Sequence, residues 1–107
     1  MVNLKTALLT VTNNVRKFDG TGMIGNYIVW GEDGQADSTH ADNRMKEQVV
    51  TGTIDYFTKI DGDPNFDAIQ NALNGAGIAF RWESTQYEIG TKYIHHEWVW
   101  EVPRWLE

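Results

Sequence analysis

Ile78-Ala-Phe-Arg-Trp-Glu-Ser-Thr-Gln-Tyr-Glu-Ile-Gly-Thr-Lys-Tyr-Ile-His-His-Glu-Trp-Val-Trp-Glu-Val102 is the stretch that decides the fold. It is rich in aromatic and β-branched residues on either side of Ile89-Gly90-Thr91-Lys92, which predicts two long strands joined as a β-hairpin. Strand side chains alternate, so Ile94, His96, Trp98, Trp100 and Val102 share one face of the second arm. Tyr93, His95, Glu97, Val99 and Glu101 take the other. The first set is the core candidate. In the first arm, unbroken alternation places Phe80 and Trp82 with Ser84, Gln86 and Glu88, and Arg81, Glu83 and Thr85 with Tyr87 and Ile89. That arm is apolar only at its start and is expected to be half exposed.

Upstream of the hairpin, Asp61-Gly-Asp-Pro64 predicts a helix start, with Asp63 suited to the N-cap and Pro64 to the first helical position. Phe66, Ile69 and Leu73, with Ala72 and Ala76, form its apolar stripe, and Gly75 and Gly77 its stop. Before it, Lys46 to Lys59 alternates as a long strand with Gly52 as a candidate bulge. A shorter strand, Asn26 to Trp30, is expected to stop at Gly31-Glu-Asp-Gly34 and to open into a polar loop reaching about Arg44. At the start of the chain, Asn3 is a candidate N-cap, and Leu4, Leu8, Val11 and Val15 recur at helical spacing, predicting one helix from Leu4 to about Lys17. Asp19-Gly-Thr-Gly22 ends it without the pattern of a phosphate loop. The order α-β-β-α-β-β gives an α+β two-layer domain, a four-stranded antiparallel sheet with two helices on one face. Residues 1–107 read as a single domain with a C-terminal tail from 103 to 107, because Pro103 lacks the N–H that would continue a ladder.

A chain of 107 residues can bury one core of about two-thirds of its unfolded surface. Five Trp, four Tyr and four Phe supply large rings for it. With no cysteine there is neither a disulfide framework nor a thiolate metal site, and a reducing compartment is permitted. No apolar run approaches the ~20 residues of a membrane span, and Met1-Val-Asn-Leu-Lys-Thr6 lacks a signal-peptide pattern, so a soluble, unprocessed chain is expected. Nine basic against fifteen acidic residues leave a net charge of −6, the wrong sign for gripping phosphates.

His95, His96 and Glu97 are metal-ligand types, yet on a strand only His95 and Glu97 share a face. A third ligand would have to come from elsewhere, with His40 and Glu88 as candidates; the ordinary reading is cross-strand hydrogen bonding, and no metal or cofactor is assigned. The acidic stretch from Glu32 to Asp42 lacks the spacing of an EF-hand. Gly-x-Ser-x-Gly and a cysteine nucleophile are both absent, and Asp61 and Asp63 are explained by turn and capping needs, so no catalytic residue is assigned. Trp98 and Trp100 could line a ligand pocket, but buried core is the ordinary use of such a pair.

Several phrases resemble a small structural protein of phages and prophages of Gram-positive bacteria. They are Asn3-Leu-Lys-Thr-Ala-Leu-Leu-Thr-Val-Thr12, Tyr27-Ile-Val-Trp-Gly-Glu-Asp-Gly34, Ala41-Asp-Asn-Arg-Met45, Gly52-Thr-Ile-Asp-Tyr-Phe-Thr58, Ile69-Gln-Asn-Ala-Leu73, Gln86-Tyr-Glu88 and Tyr93-Ile-His-His-Glu-Trp98. The order of elements is similar to tail-completion, or tail-terminator, proteins of long-tailed phages. The resemblance implies a virion protein forming a ring, commonly a hexamer, at the head-tail joint. Such a ring ends tail-tube growth, meets tail-tube and head-connector proteins, and lets DNA pass without specific binding. It implies no catalytic residues, no cofactor and no membrane. Glu32, Asp33, Asp37 and Asp42 are lumen-lining candidates, because a negative lining keeps phosphates from sticking. Tyr87, Trp105 and Leu106 are candidates for the subunit interface. A neck adaptor or tail-tube subunit, a small-ligand-binding module, and a metal-dependent enzyme using His95, Glu97 and His40 are the alternatives.

Overall fold

A computed structural model describes residues 3–35 and 49–103 of the chain. The elements run α1 (Leu4–Leu9), β1 (Val15–Lys17), β2 (Tyr27–Gln35), β3 (Val49–Thr58), α2 (Asn65–Gly75), β4 (Ala79–Tyr87) and β5 (Ile94–Pro103). They form an α+β domain whose single five-stranded sheet has the order β1-β2-β3-β5-β4. Among the described residues only β1 pairs in parallel; the other strand pairs are antiparallel. The expected four-stranded antiparallel sheet is therefore corrected to a five-stranded mixed one. No helix among the described residues is long and apolar enough to cross a membrane.

The extra strand comes out of the expected first helix. Asn3 does cap α1, its Oδ1 accepting from Thr6 N at 2.8 Å. The helix then stops at Leu9, where Thr10 turns its hydroxyl back onto Ala7 O at 2.6 Å. Hydroxyl and amide side chains at Thr10, Thr12, Asn13 and Asn14 compete for backbone hydrogen bonds, which shortens a helix. Val11 and Val15 nevertheless pack on the core, so their helix-like spacing reflects burial. Val15–Lys17 instead satisfies the free edge of β2, with Ile28 N donating to Asn14 O at 2.9 Å and Phe18 N to Trp30 O at 2.7 Å.

The core lies between the two helices and one sheet face. Leu4 and Leu8 of α1 and Ile69 and Leu73 of α2 meet Ile28, Ile54, Tyr56, Trp98, Trp100 and Val102. The predicted core face of the second hairpin arm holds: Trp98, Trp100 and Val102 are buried, which rules them out as an open ligand pocket. Each indole hides about 150–250 Å², worth about 4–6 kcal/mol before ordering costs. Burial also requires an acceptor for each N–H: Gln70 Oε1 lies 3.1 Å from Trp98 Nε1, and Thr53 O lies 3.0 Å from Trp100 Nε1.

Gly52 faces Trp100 directly across β3 and β5. It is not the bulge expected from sequence. A Cβ there would overlap Gly31 O and lie 2.5 Å from the Trp100 ring, so glycine admits the indole over the strand. The irregularity sits opposite, between Glu32 and Gly34 of β2, a strand that continues past its expected stop. A second bulge, between Trp82 and Ser84, swaps the faces of the first hairpin arm. Thr85 and Tyr87 accordingly join Trp82 on the helix side, while Ser84 and Gln86 pair with Glu97 and His95.

The start of α2 shifts by one residue, with Pro64 in the cap position. Asp63 still accepts from Asn65 N at 2.9 Å, and its other oxygen takes the hydroxyls of Tyr56 at 2.8 Å and Thr58 at 2.7 Å. Burial raises the Asp63 carboxyl, but these hydrogen bonds outweigh it and hold the group below its ordinary value. The network ties the end of β3 to the start of α2.

Candidate functional site

Both helices cover one sheet face, so the functional candidates lie on the other. Alternation along β2, β3 and β5 places Tyr27, Val29, Thr51, Thr53, Asp55, Phe57, His95, Glu97 and Val99 there, all half-buried. Next to the β4–β5 turn, this face is aromatic. Tyr27 stacks on Phe57 at 4.7 Å between ring centroids, Phe57 stacks on the His95 ring at 4.3 Å, and Tyr93 stands edge-on to Tyr27 at 5.7 Å. The 18–26 loop rises over the β2 margin and is tied across by Tyr93 OH donating to Gly25 O at 2.8 Å. Between loop and turn lies an open groove of about 550 Å³, with Tyr27, Phe57, Tyr93, Asp55 and His95 in its lining.

Polar groups occupy the middle of the face. His95 Nε2 is 2.6 Å from Asp55 Oδ1 on the neighbouring strand, and His95 Nδ1 is 3.6 Å from Glu88 Oε2 at the hairpin turn. The hydrogen bond to Asp55 pushes the imidazole pKa up, against the opposing effect of burial. Glu97 is directly opposite Asp55 in the ladder. Burial, and then the charge of Asp55, pushes its carboxyl up. His96 points to the helix side as alternation requires, where Thr85 Oγ1 is 2.8 Å from its Nδ1 and burial pushes its pKa down.

His95 and Glu97 share a face as alternation requires, and the third member of the group is Asp55, whereas Glu88 reaches only the other ring nitrogen of His95. The signal for Asp55 was a carboxylate at mid-strand among apolar neighbours; its partner was set by cross-strand register. His40, Asp37, Asp42, Trp105 and Leu106 lie outside the described residues. Glu32 and Asp33 belong to β2 rather than to a loop: Glu32 pairs with Lys17 at 3.0 Å, and exposed Asp33 sits at the bulge. Tyr87 is 60% exposed and shares the helix-side face of β4 with Trp82 at 54%, and Ile89, in the turn that follows, is exposed as well.

The geometry defines a class: a small α+β domain with a five-stranded mixed sheet, one face packed on helices and the other carrying an aromatic groove and an acid-imidazole cluster. Compared with protein-family models and with curated proteins, the chain matches none.

Proposed function

We propose that the protein is a virion subunit of a long-tailed phage, a tail-completion ring at the head-tail joint that ends tube growth and lets DNA pass. The observation that carries this reading is the sheet face that, among the described residues, has no helix layer. Strands about 4.8 Å apart rising about 3.3 Å per residue make that face roughly 20 by 30 Å, about 600 Å² in projection. A standard interface takes about 800 Å² from each partner, so the face supplies about three-quarters of what one side requires. Trp82 and Tyr87, exposed on the helix-side face of the edge strand β4, offer a second, different apolar surface. Two unlike patches are what a head-to-tail ring needs. The net charge of −6 suits a channel from which DNA must slide free.

Light scattering after gel filtration, across a range of protein and salt concentrations, tests the proposal. The expected species is a discrete ring, or a monomer that closes into rings on addition of tail-tube protein. Trp82→Ser and Tyr87→Ser should each shift the population toward monomer while leaving the circular dichroism spectrum unchanged. A chain that stays monomeric and ignores tube protein refutes it. The aromatic groove favours a second reading, a small-ligand-binding module; ligand-dependent thermal stabilisation of a persistent monomer would support that one.

A further inference from the structure

The middle of the open sheet face breaks a rule of strand pairing. Asp55 and Glu97 are direct cross-strand partners, and like charges in that position repel. Glu88 adds a third carboxylate near His95, so the group stays negative even with the imidazole protonated. Among the described residues the Lys and Arg ion pairs go elsewhere, Lys17 to Glu32 and Arg81 to Glu83, while Lys59 lies over the Tyr93 ring. A local conflict of this kind, kept on the sheet's most extensively paired strands, marks a site.

We propose that Asp55, His95 and Glu97 bind a divalent transition-metal ion of the Zn2+ class, with Glu88 orienting the imidazole from behind. One donor atom from each of the three residues lies within 4.8 Å of the others, and the closest pair is 2.6 Å apart. Metal bonds of about 2.0–2.2 Å in a tetrahedron require donor separations of about 3.3 Å, which this spread brackets. His95 Nε2 lies against Asp55 while Nδ1 lies 3.6 Å from the Glu88 carboxylate, an ion-pair distance on the side from which a second carboxylate orients a metal-bound imidazole. One nitrogen and two oxygen donors suit Zn2+, Co2+ or Mn2+ better than Ca2+, which takes six to eight oxygens. Three protein ligands leave a coordination position toward solvent for water or for a group from another molecule.

The site does not depend on the assembly reading, and its test does not use oligomeric state. Full-length protein, stripped with chelator, is titrated with zinc chloride near neutral pH by calorimetry. One equivalent should bind, with proton release. Asp55→Asn, His95→Gln and Glu97→Gln should abolish that binding, and Glu88→Gln should weaken it by about 10- to 100-fold. Glu101→Gln, farther along the same face, and His96→Gln, on the helix side, should retain it. Glu97→Gln also removes the like-charge pair, so the metal-free variant should melt at or above the parental temperature, separating lost ligation from lost folding. Absence of one-to-one binding, or binding that survives in Asp55→Asn and Glu97→Gln, overturns the proposal. Loss of binding in His40→Gln alone, with the three proposed ligands dispensable, also overturns it.

Discussion

Replacing Gly52 by alanine tests the packing on which the sheet depends. The added Cβ would overlap Gly31 O on one side and lie 2.5 Å from Trp100 Cζ2 on the other. Ordinary carbon contacts are about 3.5–4.0 Å, so a displacement of about 1 Å or more is required. Neither neighbour yields easily. Gly31 is held in the β2–β3 ladder, and the Trp100 indole is buried against Trp30, with ring centroids 6.3 Å apart and its N–H bonded to Thr53 O. Overpacking costs about 1–3 kcal/mol, and this site belongs at the upper end, about 3 kcal/mol. At about 4–8 °C per kcal/mol, the melting midpoint should fall by roughly 12–24 °C. Urea unfolding should show the same loss with little change in slope. Gly75→Ala provides the opposite sign: no heavy atom lies within 4 Å of the added methyl, and the position is helical, so stabilisation of about 0.5–1 kcal/mol is expected. A Gly52→Ala protein within about 1 kcal/mol of the parent would refute the placement of Trp100 over that strand.

Two further outcomes are expected. Asp63→Asn replaces a carboxylate that accepts from Tyr56, Thr58 and Asn65, and should cost about 1–3 kcal/mol in urea unfolding near neutral pH. Because the folded Asp63 pKa lies below its ordinary 3.8, its contribution is present above that value and is lost as pH falls through the folded value. The variant should therefore lose less stability than the parent below about pH 4, and parallel acid limbs would contradict the assignment. Gln70→Ala removes the acceptor of the Trp98 indole N–H and should cost about 1–2 kcal/mol; unchanged denaturation would mean that water replaces the amide.

The sequence by itself determined the β4–β5 hairpin, the core face of its second arm and the approximate start of the second helix. These rest on local signals: period-two alternation through Trp98 and Trp100, and a Gly-Asp-Pro boundary whose chemistry acts within a few residues. It also separated His96 from His95 and Glu97, since alternation needs no knowledge of a partner. Tertiary structure decided what depends on a neighbouring strand. Val15 at helical spacing became part of β1 because the edge of β2 offered it hydrogen bonds, and bulges near Asp33 and Glu83 shifted registers that alternation alone takes as continuous. Asp55 reached His95 for the same reason: the residues lie forty positions apart, and only the antiparallel register of β3 on β5 brings their side chains onto one open face. Side-chain alternation is encoded within each strand, whereas register is a property of two strands together, and both the fifth strand and the candidate site belong to the second kind.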